Sequence, residues 1–135
     1  MEAKKKYIKA EIRLARNSLK AGDLLHQAGL YRESIPKSYY AMFHSLKALF
    51  TAEDIESSKH SFITSEFGFR FIKQKGEFDK RYGRNLHKVF EYREMCDYKT
   101  MFEADETMSE FCKDSAREFV DEIERYLKRK GCLEG

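Results

Sequence analysis

The sequence predicts an all-α protein, an antiparallel up-and-down bundle of about five helices built on a four-helix core. Three observations carry this expectation. Apolar residues recur at steps of three and four along nearly all of the 135 residues. Seven glycines and one proline leave little material for the many tight turns of a sheet-rich fold. Glycines and capping side chains fall between the periodic segments, where helices need stops and starts. No linker or low-complexity tract interrupts the chain, so one domain over residues 1–135 is expected.

The first helix is expected from Ala3 to His26, with Tyr7, Ile8, Ile12, Ala15, Leu19 and Leu25 inward and Gly29 as its stop. The second should cover Tyr31 to Ala52, because Tyr39, Met42, Phe43, Leu46, Leu49 and Phe50 share one arc of its wheel. Pro36 must either sit in its first turn or kink it. A third helix should start near the SSKHSF stretch with Ser57 or Ser58 as N-cap, bury Phe62, Ile63, Phe67, Phe71 and Ile72, and break at Gly76. Asp79 can cap a fourth helix from Lys80 to Tyr98, with Leu86, Val89, Phe90 and Arg93 along one side. Thr107 and Glu110 match a capping box opening a fifth helix, which carries Met108, Phe111, Cys112, Ser115, Phe119, Ile123 and Tyr126 inward. Its basic end, Lys128 to Lys130, suits the negative pole of the helix dipole.

Composition narrows the function classes. With 41% hydrophobic and 36% charged residues the chain should be globular rather than disordered. No apolar run is long enough to cross a bilayer, and Met1–Lys6 lacks the apolar core of a signal peptide, so a cytoplasmic protein with no membrane role is expected. Cys96, Cys112 and Cys132 show neither zinc-site pairing nor the even count of a disulfide scaffold; Cys96 and Cys112 should serve as small apolar residues. The net charge of +3 is too small to imply nucleic-acid binding, but its distribution is uneven. Residues 70–88 carry a local balance of +5 and residues 103–124 one of −7. That asymmetry suits a basic groove for an anion, complementary surfaces in an assembly, or simply two solvated helix faces.

Three constellations have chemical potential. In SYYAMFHSLKALF, residues 38–50, Tyr40 and His44 are four apart beside the apolar arc, and Lys47 follows three later; a half-buried polar border explains them equally well. In FEYREMCDYKT, residues 90–100, Arg93 and Asp97 stand at i, i+4 and can pair, with the Tyr98 hydroxyl adjacent. An arginine on the inner side of a bundle is costly unless paired, so this unit is either a structural clamp or the anchor of a polar site. In RYGRNLH, Arg84 and His87 share a face and Arg81 lies upstream; guanidinium and imidazole together suit a phosphate. There is no Gly-rich phosphate loop, no His-Glu-x-x-His and no Glu-x-x-His pair, so no metal and no cofactor is expected.

The block YRESIPKSYYAMFHSLKALF, the later His60 and the segment YREMCDY together resemble the small stand-alone HEPN proteins of prokaryotes. The resemblance spans nearly the whole chain. It implies a helical bundle, a homodimer, and a nucleotidyltransferase partner in a toxin–antitoxin-like pair. On this resemblance Tyr40, His44 and His60 are expected to share one polar pocket with Arg93, Asp97 and Tyr98, which binds a nucleotide or organises the dimer. Many members are metal-independent ribonucleases whose motif is an Arg followed after four to six residues by a His. In that mechanism the histidine moves protons and the arginine stabilises negative charge. Arg93 matches the motif's arginine, but Asp97 and Tyr98 stand where its histidine belongs. Arg81 and His87 satisfy the spacing, earlier in the helix, and Pro36 stands where a small residue is expected. The candidate catalytic set is Arg93, Asp97 and Tyr98; the candidate ligand-binding set is Tyr40, His44, His60, Arg84 and His87. The expected function is a HEPN component that binds nucleotide or RNA beside a nucleotidyltransferase. The alternatives are a metal-independent ribonuclease toxin and a structural dimer without ligand.

Overall fold

The first two helices pair through a turn of three residues. In the computed structural model, which describes residues 2–56 and 59–134, α1 spans Glu2–Gln27 and α2 spans Tyr31–Ala52. Helix α3 covers His60–Glu66 and runs directly into a π-helical segment, Phe67–Gln74. Helices α4, Lys80–Tyr98, and α5, Glu106–Arg129, complete the chain. The four long helices form an up-and-down bundle in which α2 packs against α1, α4 and α5. No strand occurs among the described residues.

Local chemistry accounts for most boundaries. Gly29 and Gly76 take positive φ values of 79° and 63°, ending α1 and the π-helical segment in a conformation that other residues adopt only at a cost. Asp79 caps α4 by accepting from the Arg81 amide at 2.9 Å. Helix α5 starts before the expected Thr107–Glu110 box. Asp105 is its N-cap and accepts from the Met108 amide at 2.8 Å. Pro36 lies in the second turn of α2, past the orphan amides, and the helix continues through it. The expected caps Ser57 and Ser58 lie outside the described residues.

The inner faces meet as periodicity requires. Ile8, Ile12 and Ala15 of α1 bury against Ile35, Tyr39, Met42, Leu46 and Leu49 of α2, and α5 adds Cys112, Phe119, Ile123 and Tyr126. One expectation needs correction, and the core gains a ring from outside the expected helices. Tyr7, expected inward, is 45% exposed, with its hydroxyl donating to Glu11 at 3.2 Å. Phe78, in the connection before α4, is buried, its ring 5.4 Å from Phe67 and 5.3 Å from Tyr126.

The π-helical segment turns Phe67 and Phe71 inward and leaves Phe69 half exposed. Ile72 on this segment presses on α4 at Gly83, where a Cβ would meet Ile72 Cδ1 at 2.8 Å. A larger residue there requires the end of the Ile72 side chain to shift. Cys96 and Cys112 are buried free thiols, pushed up to about 11 and about 12 by that burial, which fits their role as small apolar residues.

Candidate functional site

Arg93 sits on the face of α4 that meets α2, and its side chain is only 12% exposed. A guanidinium so placed must find compensation. Nη1 donates to Glu94 at 2.8 Å and Nη2 donates to the Tyr40 hydroxyl at 3.2 Å. Nε lies 2.8 Å from Asp97 Oδ2, a close ion pair that is off the hydrogen-bond axis. Nε is therefore a buried donor with no hydrogen bond of its own. Three rings surround the cation: its centre lies 5.3 Å from the Tyr39 centroid, 5.5 Å from Tyr40 and 5.9 Å from Tyr98. Burial works against the charge, but the Tyr40 hydroxyl, Asp97 and Tyr98 outweigh it and hold the Arg93 pKa above its ordinary value.

Behind this cluster stand Tyr39 and His60. The Tyr39 hydroxyl and His60 Nδ1 are 2.7 Å apart. The His60 ring stacks on Phe43 with centroids 3.9 Å apart and planes within 3°. Burial pushes the Tyr39 phenol up to about 12, against the pull of Arg93. Burial also lowers the His60 pKa, and the charges of Arg93 and Lys47 lower it further. At neutral pH both partners are therefore uncharged, and one hydrogen bond joins them.

His44 does not join this cluster. It turns to α1, where its Nδ1 lies 3.0 Å from Glu11 Oε1. Glu11 is 3% exposed and also receives Lys47 and the Tyr7 hydroxyl on Oε2, each at 3.2 Å. Burial raises the Glu11 pKa, and the bonds from His44 and Lys47 more than reverse it, leaving the carboxyl below its ordinary value. The expected single pocket is thus two adjoining clusters. One holds Tyr40, His60, Arg93, Asp97 and Tyr98; the other holds His44. The physical reason is that a buried carboxylate on α1 attracts the imidazole more strongly than a cation on α4 does.

Arg84 and His87 are also outside the Arg93 cluster, on the exposed face of α4, where His87 lies 3.7 Å from Glu91. His87 and Tyr98 do border the same shallow groove, about 320 Å³, with Phe90, Glu94 and Met95. A second groove of about 500 Å³ continues past Tyr98 to Met101 and Phe102. Tyr98 is 69% exposed and Met101 90% exposed, the most open large apolar surface beside Arg93.

Three participants escaped sequence reasoning. Glu94 reads as a solvent residue beside Arg93. Glu11 reads as one on the polar side of α1, although its position four residues after Tyr7 and one before Ile12 places it on the inner arc. Arg32 gave no signal, because its partners are backbone groups: it donates to the carbonyls of Lys99 at 2.8 Å, Thr100 at 3.3 Å and Phe102, holding the connection that follows Tyr98.

With this arrangement established, comparison with known proteins decides the family. The HEPN domain family model matches residues 8–126. The chain belongs to the HEPN family. A Methanocaldococcus jannaschii protein named "Putative toxin" is 34% identical over 121 residues, covering 90% of this chain and 89% of its own. A second protein of that organism with the same description is 28% identical, covering 97% and 88%. A Thermotoga maritima protein named "UPF0332 protein" is 30% identical over 128 residues, covering 95% and 96%. This HEPN chain is therefore similar to those proteins along nearly their whole length. Among the described residues, no helix is long and apolar enough to cross a membrane, and no group of His, Cys, Asp or Glu is arranged to hold a metal ion.

Proposed function

We propose that this HEPN protein is the toxin-like member of a toxin–antitoxin-like pair, acting by recognition. Its partner is a nucleotidyltransferase, and it meets that partner at the Arg93–Tyr98 end of α4. The observation that carries this reading is the commitment of Arg93. Its guanidinium faces Asp97, Glu94 and three tyrosine rings, with exposed Tyr98 and Met101 alongside. Two carboxylates beside an arginine oppose a phosphodiester, whereas an exposed aromatic and an exposed thioether beside a paired charge suit a protein surface. The names of the M. jannaschii relatives support the toxin-like reading. The resemblance to HEPN proteins paired with nucleotidyltransferases supports the partner, and also a homodimer. Nucleotide or RNA would be met at Arg84 and His87, on the exposed basic face of α4.

Co-expression with a nucleotidyltransferase from the neighbouring genes tests this reading. The two chains should co-elute, and Tyr98→Asp or Met101→Asp should separate them. Co-elution indifferent to both substitutions would move the interface elsewhere.

One observation favours the second reading, a metal-independent ribonuclease. His60 is an uncharged imidazole joined through Tyr39 to the ring that Arg93 overlies, so a proton acceptor and a cation stand in one cluster.

A further inference from the structure

Helix α1 carries more apolar surface than the core uses. Its buried row, with Ile8, Ile12 and Ala15, faces α2 and α5. A second row runs along its outer side, where Tyr7, Ala10, Leu14, Asn17, Ala21 and Leu24 follow one another at alternating steps of three and four. That is the spacing of a seam between two helices. Leu14 is 46% exposed and Leu24 62%, in line with the half-exposed Tyr7. Among the described residues seven large apolar side chains are exposed, and these three share one helix face, so they form a patch rather than a scatter.

One border of this row is cationic. Lys6, Lys9, Arg13 and Lys20 repeat beside it at helical steps, and all four are exposed. None of their side chains has an ion-pair or hydrogen-bond partner among the described residues. Arg16 on the same border differs, because Asp121 and Glu124 hold it, each at 2.7 Å. Asp23 is likewise engaged, by Lys113 at 2.9 Å. At the start of α1, Lys5, Lys6 and Lys9 border a recess together with Glu2 and Glu134. Five unpaired cations, Lys5 included, therefore stand against two unpaired carboxylates.

The two features together select the occupant. Nucleic-acid phosphates would use the cations and leave the apolar row in water. A second copy of α1 is disfavoured, because a two-fold axis crossing the helix lays the cationic border against itself. A helix with an apolar row and an acidic border satisfies both at once. We propose that the outer face of α1 docks an acidic amphipathic helix of a partner protein. The apolar row of that helix packs on Tyr7, Leu14 and Leu24, and its carboxylates meet Lys6, Lys9, Arg13 and Lys20. The proposal is independent of the Arg93–Tyr98 surface on α4.

Fluorescence anisotropy with a labelled three-heptad peptide, about 30 Å of helix, tests it. The peptide is held helical by side-chain lactams, with Leu and Ala on its apolar row and Glu on its borders. It should bind the full chain saturably at one to one. The same peptide with Lys in place of each Glu should bind at least about tenfold more weakly. Leu14→Asp and Leu24→Asp should each weaken the acidic peptide about tenfold. Lys9→Glu combined with Arg13→Glu should do the same and remove much of the salt dependence. These positions are exposed, so the variants should melt with the wild type. Co-elution with the nucleotidyltransferase, lost in Tyr98→Asp, should survive Leu14→Asp, which separates the two proposals. The proposal is overturned if no saturable binding occurs up to about 0.1 mM, or if binding is indifferent to Leu14→Asp and Leu24→Asp. It is equally overturned if mixed-sequence RNA or phosphatidylglycerol vesicles occupy this face and the acidic peptide does not displace them.

Discussion

The Tyr40 hydroxyl on α2 accepts from Nη2 of Arg93 on α4 at 3.2 Å, joining two helices across 53 positions of sequence. Tyr40 also presents its ring to the same guanidinium. The contact is therefore both a hydrogen bond and a cation–π pair. Tyr40→Phe removes only the first and should cost about 1 kcal/mol in denaturant unfolding. Arg93→Met removes both and also leaves Glu94 and Asp97 without their cation; a loss of about 2 kcal/mol is expected. Arg93→Lys should recover only part of that, because an ammonium cannot address Asp97, Glu94 and Tyr40 at once.

Glu11 binds α1 to α2 through His44 and Lys47. Replacing it by Ala leaves an imidazole and an ammonium facing a space without their acceptor. Glu11→Ala should destabilise by about 2 to 3 kcal/mol. Glu11→Leu together with Lys47→Met should cost less than the sum of the two single changes, because each alone orphans the other. Chemical denaturation of the four proteins measures that coupling.

His60 gives the fold a dependence on mild acid. Its pKa is lowered in the native state, so the unfolded chain takes up its proton first as pH falls below the ordinary value of about 6.5. The stability that its neutral form contributes is present above that pH and is lost as pH falls through the native value. The carboxylates lowered in the native state, Glu11, Glu124 and Asp23, act in the same direction but only below their ordinary values of 4.5 for the glutamates and 3.8 for the aspartate. Thermal melts of wild type should therefore begin to weaken between pH 6.5 and 5, and His60→Gln should flatten that part of the profile. An unchanged slope in His60→Gln would assign the effect to another group.

Arg32 organises the end of α4 by bonding three carbonyls of the connection beyond it, those of Lys99, Thr100 and Phe102. Arg32→Ala should raise amide exchange at residues 99–102 well above that of the neighbouring helices, with a global loss of about 1 to 2 kcal/mol. If Tyr98 and Met101 form the partner surface, the same variant should weaken co-elution without touching Arg93.

The helices were legible because their signals are local. α2 and α4 begin and end at the residues that periodicity, Gly29 and Asp79 indicate. The start of α5 was displaced because Asp105 and Thr107 are both good caps, and only the bond to Met108 distinguishes them. The π-helical segment was not legible, since it goes with the packing of Ile72 on Gly83, a contact between elements that local periodicity does not encode. At the site, the Arg93–Asp97 pair was legible from i, i+4 spacing. The meeting of Tyr40 with Arg93 was legible through the family resemblance; the separation of His44 depends on where Glu11 falls when α1 packs, which one-helix reasoning does not reveal.

The most direct test of Arg93 as an anchor for recognition rather than a nuclease arginine is an RNA digest in EDTA. Purified wild-type protein is incubated with a mixed-sequence RNA and the products are resolved by length. The RNA should remain intact throughout, with Arg93→Ala giving the same result. Metal-independent cleavage by the wild type, abolished in Arg93→Ala and in His60→Gln, would contradict this account and assign the cluster to catalysis.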